Sequence, residues 1–303
     1  MIEAFPVTAT PALLTGLALV LAGPAPAWLA RAEWPSRVPR AALVLWQAMT
    51  LAALLSALGA GLSVATLISF YERPGIVLLA LHISAFAFTV LVLARLLWSA
   101  HVLGTNLRAR RRRHRQLVDL VGRSDGRAPG ARILDAPEAF AYCVPGVSSR
   151  LVVSSSALDT LSDDEIQAVL EHERAHARAR HDLVLEGFTA LHNAFPTLVR
   201  SRAARDAAAG LVEMLADDAA QRRAGAVPLG RALVRLAHAP VPAGTIGTGH
   251  VTPLTRIQRL GEPRTIAHHG LASSVYAAAI AIVVIPTVSV AMPWLVHLSH
   301  QLS

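Results

Sequence analysis

"LSDDEIQAVLEHERAHARARHD", from Leu161 to Asp182, decides how this chain is read. Ser162 is followed three residues later by Glu165, the spacing of a capping box in which each side chain satisfies the other's orphan backbone N–H. Asp163 and Asp164 suit the positive end of a helix dipole, so the sequence predicts a helix starting here. Ile166, Val169 and Leu170 give it an apolar face, and Pro196 marks its predicted stop. Inside this helix His172, Glu173 and His176 stand in the order H-E-x-x-H. Residues four apart on a helix lie about 40° from each other around the axis, so both imidazoles point the same way and can share one ion. Glu173 lies beside them as a carboxylate free to take a proton from a water that zinc has made more acidic.

Two histidines leave a zinc ion short of a ligand. "EMLADDAA" supplies the candidate: Glu213 on a second predicted helix, which ends near Gly225, with Asp217 one turn later on the same face. A His172, His176 and Glu213 set leaves one zinc position open. Asp217 could then accept a hydrogen bond from the distal nitrogen of a ligating histidine and fix its tautomer. Should Glu213 not ligate, Asp217 or Asp218 is next in line. Without a metal the same carboxylates would read as a solvated patch balancing Arg222 and Arg223.

The chain around this segment is apolar: 303 residues, 53% hydrophobic and 16% charged, with a mean hydropathy of +0.46. Val7–Ala30, Ala41–Tyr71, Gly75–Ala94 and Leu271–Val296 carry no Asp, Glu, Lys or Arg. Each meets the roughly 20 residues that a spanning helix needs. "MIEAFPV" has no basic run, so no removable signal peptide is expected. Arg31, Arg37 and Arg40 follow the first stretch, and Arg108, Arg110 to Arg113 and Arg115 follow the third, which places both basic segments in the cytoplasm and both termini outside. His82 reads as a polar contact inside the third stretch and Arg95 as a snorkelling side chain near its cytoplasmic end. The net charge of +8 and the run "RARRRRHR" belong with anionic lipid headgroups rather than with direct nucleic-acid binding, because the run directly follows a membrane helix.

Three parts follow: a membrane domain at 1–104, a cytosolic domain at 105–270, and a last transmembrane helix with a short tail at 271–303. "ARILDAP", "AFAYCVPG" and "SRLVVSSSAL" suggest a few strands with a turn at Pro145-Gly146, and a strand edge near Leu151 to Ser154 where an extended substrate could add. "HAPVPAGTIGTGH" reads as a looser connection. Cys143 is the single cysteine, which excludes an internal disulfide and a cysteine-based zinc cluster. His181, His192 and Tyr142 read as packed or solvated side chains outside the catalytic set.

"AYCVPG…RLVVSSSALDTLSDDEIQAVLEHERAHARARHD", "HNAFP" and "EMLADDAA" together resemble the BlaR/MecR-type integral-membrane zinc metallopeptidases, which are related to the HtpX/Ste24-like membrane proteases. The resemblance implies a mainly α protein of four transmembrane helices, with a cytosolic α+β, zincin-like zinc-metallopeptidase domain between the third and fourth. It also implies one zinc ion on His172, His176 and Glu213, with Glu173 as general base. The implied substrate is a cytosolic protein, a winged-helix repressor of the BlaI/MecI type, cleaved in regulated proteolysis at the plasma membrane. Membrane-protein quality control, as in the HtpX-like relatives, and a non-catalytic signalling scaffold with a structural zinc are the alternatives. "TRIQRL" resembles a segment found late in these domains, where Arg256 and Arg259 read as structural. The tail after Val296 is too short for a penicillin-binding sensor domain, so direct antibiotic sensing is not expected.

Overall fold

The computed structural model describes residues 9–66, 75–146, 148–196, 201–236, 253–262 and 268–302. The N-terminal "MIEAFPV", the "HAPVPAGTIGTGH" connection and Ser303 lie outside them.

The chain divides into two compact units. The first comprises residues 1–99, 191–204 and 268–303. It opens with α1 (Thr10–Ala22) and α2 (Pro24–Leu29), separated at Gly23, where Pro24 begins a new helix without needing a backbone donor. A short 3-10 turn (Trp34–Ser36) leads to α3 (Pro39–Thr66). Helix α4 follows at Ile76–Val121. At the other end of the chain, α11 (His269–Pro286) passes through one π-helical stretch (Thr287–Ala291) into α12 (Met292–Leu302). The stretch directly follows Pro286, which has no N–H to give to the preceding turn. Helix α3 packs against both α1 and α11.

Four helical stretches, Thr10–Leu29, Pro39–Thr66, Ile76–Val121 and His269–Val296, are long and apolar enough to cross a membrane. Several polar side chains in their apolar parts turn back onto their own backbone. Ser63 donates to Ala60 O at 2.9 Å and Thr89 to Ala85 O at 2.7 Å. His82 places Nδ1 against Leu78 O, also within its own helix. Arg95 is exposed and donates from Nε to the carbonyl of Ala194 at 2.6 Å.

The third apolar helix does not stop where its hydropathy does. Helix α4 continues without a break through the arginine run to Val121, a length of 46 residues. A boundary at 104/105 therefore falls inside a helix, and the compact units divide at 99/100. Nothing between Ala94 and Val121 breaks a helix apart from Gly104, and arginine is a good helix former.

The second unit comprises residues 100–190 and 205–267. Its strands β1 (Ala131–Leu134), β2 (Ala141–Val144) and β3 (Arg150–Ser154) form one sheet in the order β1-β3-β2. The β1–β3 pair is parallel, with Ile133 opposite Val153, and β2–β3 is antiparallel, with Cys143 opposite Leu151. Strand β3 is therefore interior, and the expected edge at Leu151 to Ser154 is corrected: the edge strands are β1 and β2. The pairing of β1 with a strand 16 residues further on is a crossover that local pattern does not announce.

After β3, Ser154 caps the short α5 (Ser155–Thr160) by accepting from Ala157 N–H at 3.1 Å. Helix α6 spans Asp163–Ala179 with the capping box in place, Ser162 N–H donating to Glu165 Oε2 at 3.0 Å. Its buried face joins Ile133, Val153, Leu158 and Leu161 in one core through Ile166, Val169 and Leu170. The predicted continuous run to Pro196 is interrupted. Arg180 adopts φ 51°, ψ 42°, caps α6, and starts α7 (His181–Ala194) in a new direction. Helix α8 (Ser201–Ala224) ends at Gly225, whose φ of +89° is a left-handed conformation that suits glycine. Helices α9 (Ala226–Leu236) and α10 (Pro253–Gly261) add Leu229, Leu233 and Leu260 to a second core around Ala168 and Ala220.

Candidate metal centre

Three side chains converge from two helices. His172 and His176, four residues apart on α6, bring their Nε2 atoms to 3.1 Å. Glu213 arrives from α8, with Oε2 3.5 Å from His172 Nε2 and Oε1 3.4 Å from His176 Nε2. All three are buried, at 7%, 2% and 6% exposure. Asp217, one turn after Glu213, places Oδ1 3.0 Å from the far nitrogen of His172, Nδ1. The sequence-derived set of His172, His176, Glu213 and Asp217 is thus brought together around one point, while Asp218 is not. Asp218 pairs with Arg259 at 2.7 Å instead.

These donors fit a tetrahedral cation. Ligands bound at roughly 2.0–2.1 Å to one such ion lie about 3.3 Å apart, close to the separations found here. A proton on His172 Nδ1, facing Asp217, leaves Nε2 with its lone pair, and that lone pair faces His176 Nε2 and a carboxylate. Glu213 Oε1 is buried with no hydrogen-bond partner among the described residues. Converging acceptors of this kind repel one another unless a cation lies between them.

The charge balance points the same way. Arg256, from α10, forks onto Asp217, with Nε–Oδ2 2.7 Å and Nη2–Oδ1 2.6 Å, and reaches Glu213 Oε2 with Nη1 at 3.0 Å. One guanidinium thus faces two buried carboxylates, so one negative charge remains over. Burial alone would push both carboxyl groups up. The His172 hydrogen bond, with the charges of His176 and Arg256, instead holds Glu213 down at about 2, and Arg256 and His172 hold Asp217 well below the carboxylate range. For His172 burial opposes charge, yet Asp217 and Glu213 pull it up to about 10. His176 shows the other direction: burial pushes it down to about 3.

The glutamates on either side of His172 have different surroundings. Glu171 is claimed by Arg174 at 2.9 Å, Arg223 at 3.0 Å and Arg178 at 3.3 Å. Glu173 makes no ion pair among the described residues, and its carboxyl accepts the backbone N–H of Cys143 on β2. Burial pushes Glu173 up to about 7, within reach of proton uptake and release near neutrality.

Two contributors were missed in the sequence. Arg256, expected to be structural, ties α10 to both carboxylates of the site, and the "TRIQRL" resemblance is the sequence signal that points to it. His181, expected to be a packed or solvated side chain, is 5% exposed and touches His176, with the two Nδ1 atoms 3.2 Å apart. Tyr142 is buried and bonded to His114 Nε2 at 2.7 Å, a structural contact between α4 and β2.

Fold and centre together define a membrane-associated protein with a candidate metal site built on two helices. Residues 107–239 match the model of peptidase family M48, a zinc-dependent metallopeptidase family, and the match supports a membrane-associated metallopeptidase. The matched stretch contains the whole H-E-x-x-H segment, Glu213 and Asp217, and ends before Arg256. No curated protein and no solved structure matches the chain.

Proposed function

We propose that the protein is a membrane-embedded zinc endopeptidase in which His172, His176 and Glu213 hold the ion and Glu173 is the general base. The observation that carries this reading is the convergence of two imidazole Nε2 atoms and a carboxylate at 3.1–3.5 Å, beside a glutamate that makes no ion pair among the described residues. Zinc, when bound there, supplies Lewis acidity that activates water and polarises a peptide carbonyl. The protein's own part is to hold the ligands, position the substrate and move protons. Asp217, clamped by Arg256, holds the His172 ring, and Glu173 takes a proton and returns it to the leaving amine.

An extended substrate segment adds to the outer edge of β2. The Cys143 N–H is directed to Glu173 rather than to β3, so this edge runs past the general base. Strand addition reads backbone more than side chains and so suits an unfolded or extended protein segment. The catalytic unit faces the cytosol, as the arginine distribution indicates, with both termini outside. A reporter fused at Ser303 should then behave as external, and cytoplasmic behaviour in a stably inserted protein would reverse the topology.

The substrate proposed from the BlaR/MecR resemblance is a BlaI/MecI-type repressor, and HtpX-like quality control is equally compatible with the site. Capture by a Glu173→Gln variant separates them. Accumulation of an uncut repressor-like protein favours regulated proteolysis, and accumulation of misassembled membrane proteins favours quality control. Wild-type protein with one zinc and no peptidase activity on any captured protein would leave the scaffold.

A further inference from the structure

His172 and His176 use their outer nitrogens differently. His172 Nδ1 faces a carboxylate, Asp217, which is itself clamped by Arg256. His176 Nδ1 faces a second imidazole, His181 Nδ1, at 3.2 Å, with the rings nearly perpendicular at 85° and their centroids 5.1 Å apart. The contact lies on the side of His176 away from His172 and Glu213, which both approach Nε2. His181 is therefore placed to support His176 and not to join the three converging donors.

The local fold makes this contact deliberately. On an unbroken helix, residues five apart point about 140° away from each other, so His176 and His181 would not meet. They meet because Arg180 takes the left-handed conformation, its N–H returning to His176 O, and α7 starts at His181 in a new direction. Such a conformation is disfavoured in a non-glycine residue because its Cβ crowds the backbone. Arg180 is the only described non-glycine residue that adopts it. Asp182 anchors the turn from behind. It is buried, and it pairs with Arg111 Nη1 from α4 at 3.3 Å and with Arg180 Nε at 3.8 Å.

We infer that His181 is the positioning residue for His176, accepting a hydrogen bond from His176 Nδ1–H and so presenting the Nε2 lone pair to the ion; this rests on the metal reading proposed above. The proton on His176 must lie on Nδ1 if Nε2 is to ligate, so His181 Nδ1 must be the acceptor and its own proton lies on Nε2. A neutral acceptor fits this position. Glu213 and Asp217 already outnumber Arg256 in charge, and a third carboxylate behind His176 would add to that excess.

Two substitutions separate hydrogen bonding from packing. Asparagine places an amide oxygen close to the position of imidazole Nδ1, whereas glutamine places one close to Nε2 while filling more of the volume. In the detergent-solubilised full chain, chelator competition gives zinc affinity, and cobalt substitution gives the d–d spectrum of the ligand field. His181→Asn should bind zinc within about threefold of wild type with an unchanged cobalt spectrum, while His181→Gln and His181→Ala should lose about 10- to 100-fold. The inference is overturned if Gln binds as tightly as Asn, if all three variants match wild type, or if Asn fails together with the others. Wild-type protein that binds no zinc would instead bring down the metal reading, and this inference with it.

Discussion

The two units of this chain handle buried polarity in opposite ways. In the apolar unit, the buried polar residues include Thr10, Ser56, Ser63 and His82, and Ser63 and His82 turn to carbonyls of their own helices. In the other unit Glu165, His172, His176, His181, Asp182, Glu213 and Asp217 are all buried, and their partners come from other elements or from across a chain reversal. A bilayer tolerates polar groups that a helix can satisfy internally. Buried charges need partners from elsewhere, and each brings a desolvation cost of several kcal/mol. Such a concentration on α6, α7 and α8 is poor economy for stability alone, and makes sense where the charges are there to be completed by a cation.

The largest effect should come from removing the guanidinium that the two carboxylates of the site share. Arg256→Ala leaves Asp217 and Glu213 buried without their guanidinium, and metal-free protein should lose about 3–5 kcal/mol of stability to denaturant. A loss below about 1 kcal/mol would show the pair to be solvated and the contrast between the units overstated.

Next in size is the support behind His172. Asp217→Ala should weaken zinc binding by about 10- to 100-fold, or about 1.4–2.8 kcal/mol, in a chelator titration. Unchanged affinity would make Asp217 a partner of Arg256 alone.

Smaller again is the helix start. Ser162→Ala removes one half of the capping box and should cost about 1 kcal/mol in chemical unfolding. The smallest effect belongs to the apolar unit. Ser63→Ala deletes a hydroxyl satisfied within its own helix and should change thermal stability in detergent by no more than about 0.5 kcal/mol. A larger loss there would mean that Ser63 bonds across helices and that the two units are less different than described.

What could be read in advance follows the range of the interactions. The capping box, the apolar face of α6, and His172, Glu173 and His176 on one helix are local, and helical spacing was enough to place them. Glu213 and Asp217 pair with each other because they lie one turn apart, and a zinc ion's need for a third ligand connects them to the histidines, as the family resemblance also implies. Strand order depends on a parallel pairing between β1 and β3, so local pattern suggests an edge at β3 where the strand is interior. Arg256 lies 39 residues beyond Asp217, and no periodicity joins them. The reversal at Arg180 carries neither glycine nor proline, the usual signs of a break, so the sequence suggests one helix across α6 and α7 and gives His181 no role. Helix α4 could have been followed further, since only its hydropathy changes after Ala94, not its helix-forming residues.

The central claim is that α6 carries two ligands and a separate proton acceptor, and one purified variant tests it. Glu173→Gln, assayed in parallel for zinc content and for peptide cleavage, should retain about one zinc per chain while its turnover falls by about 10²- to 10⁴-fold. Loss of zinc would make Glu173 a ligand or a structural residue, and cleavage near the wild-type rate would remove it from the chemistry altogether.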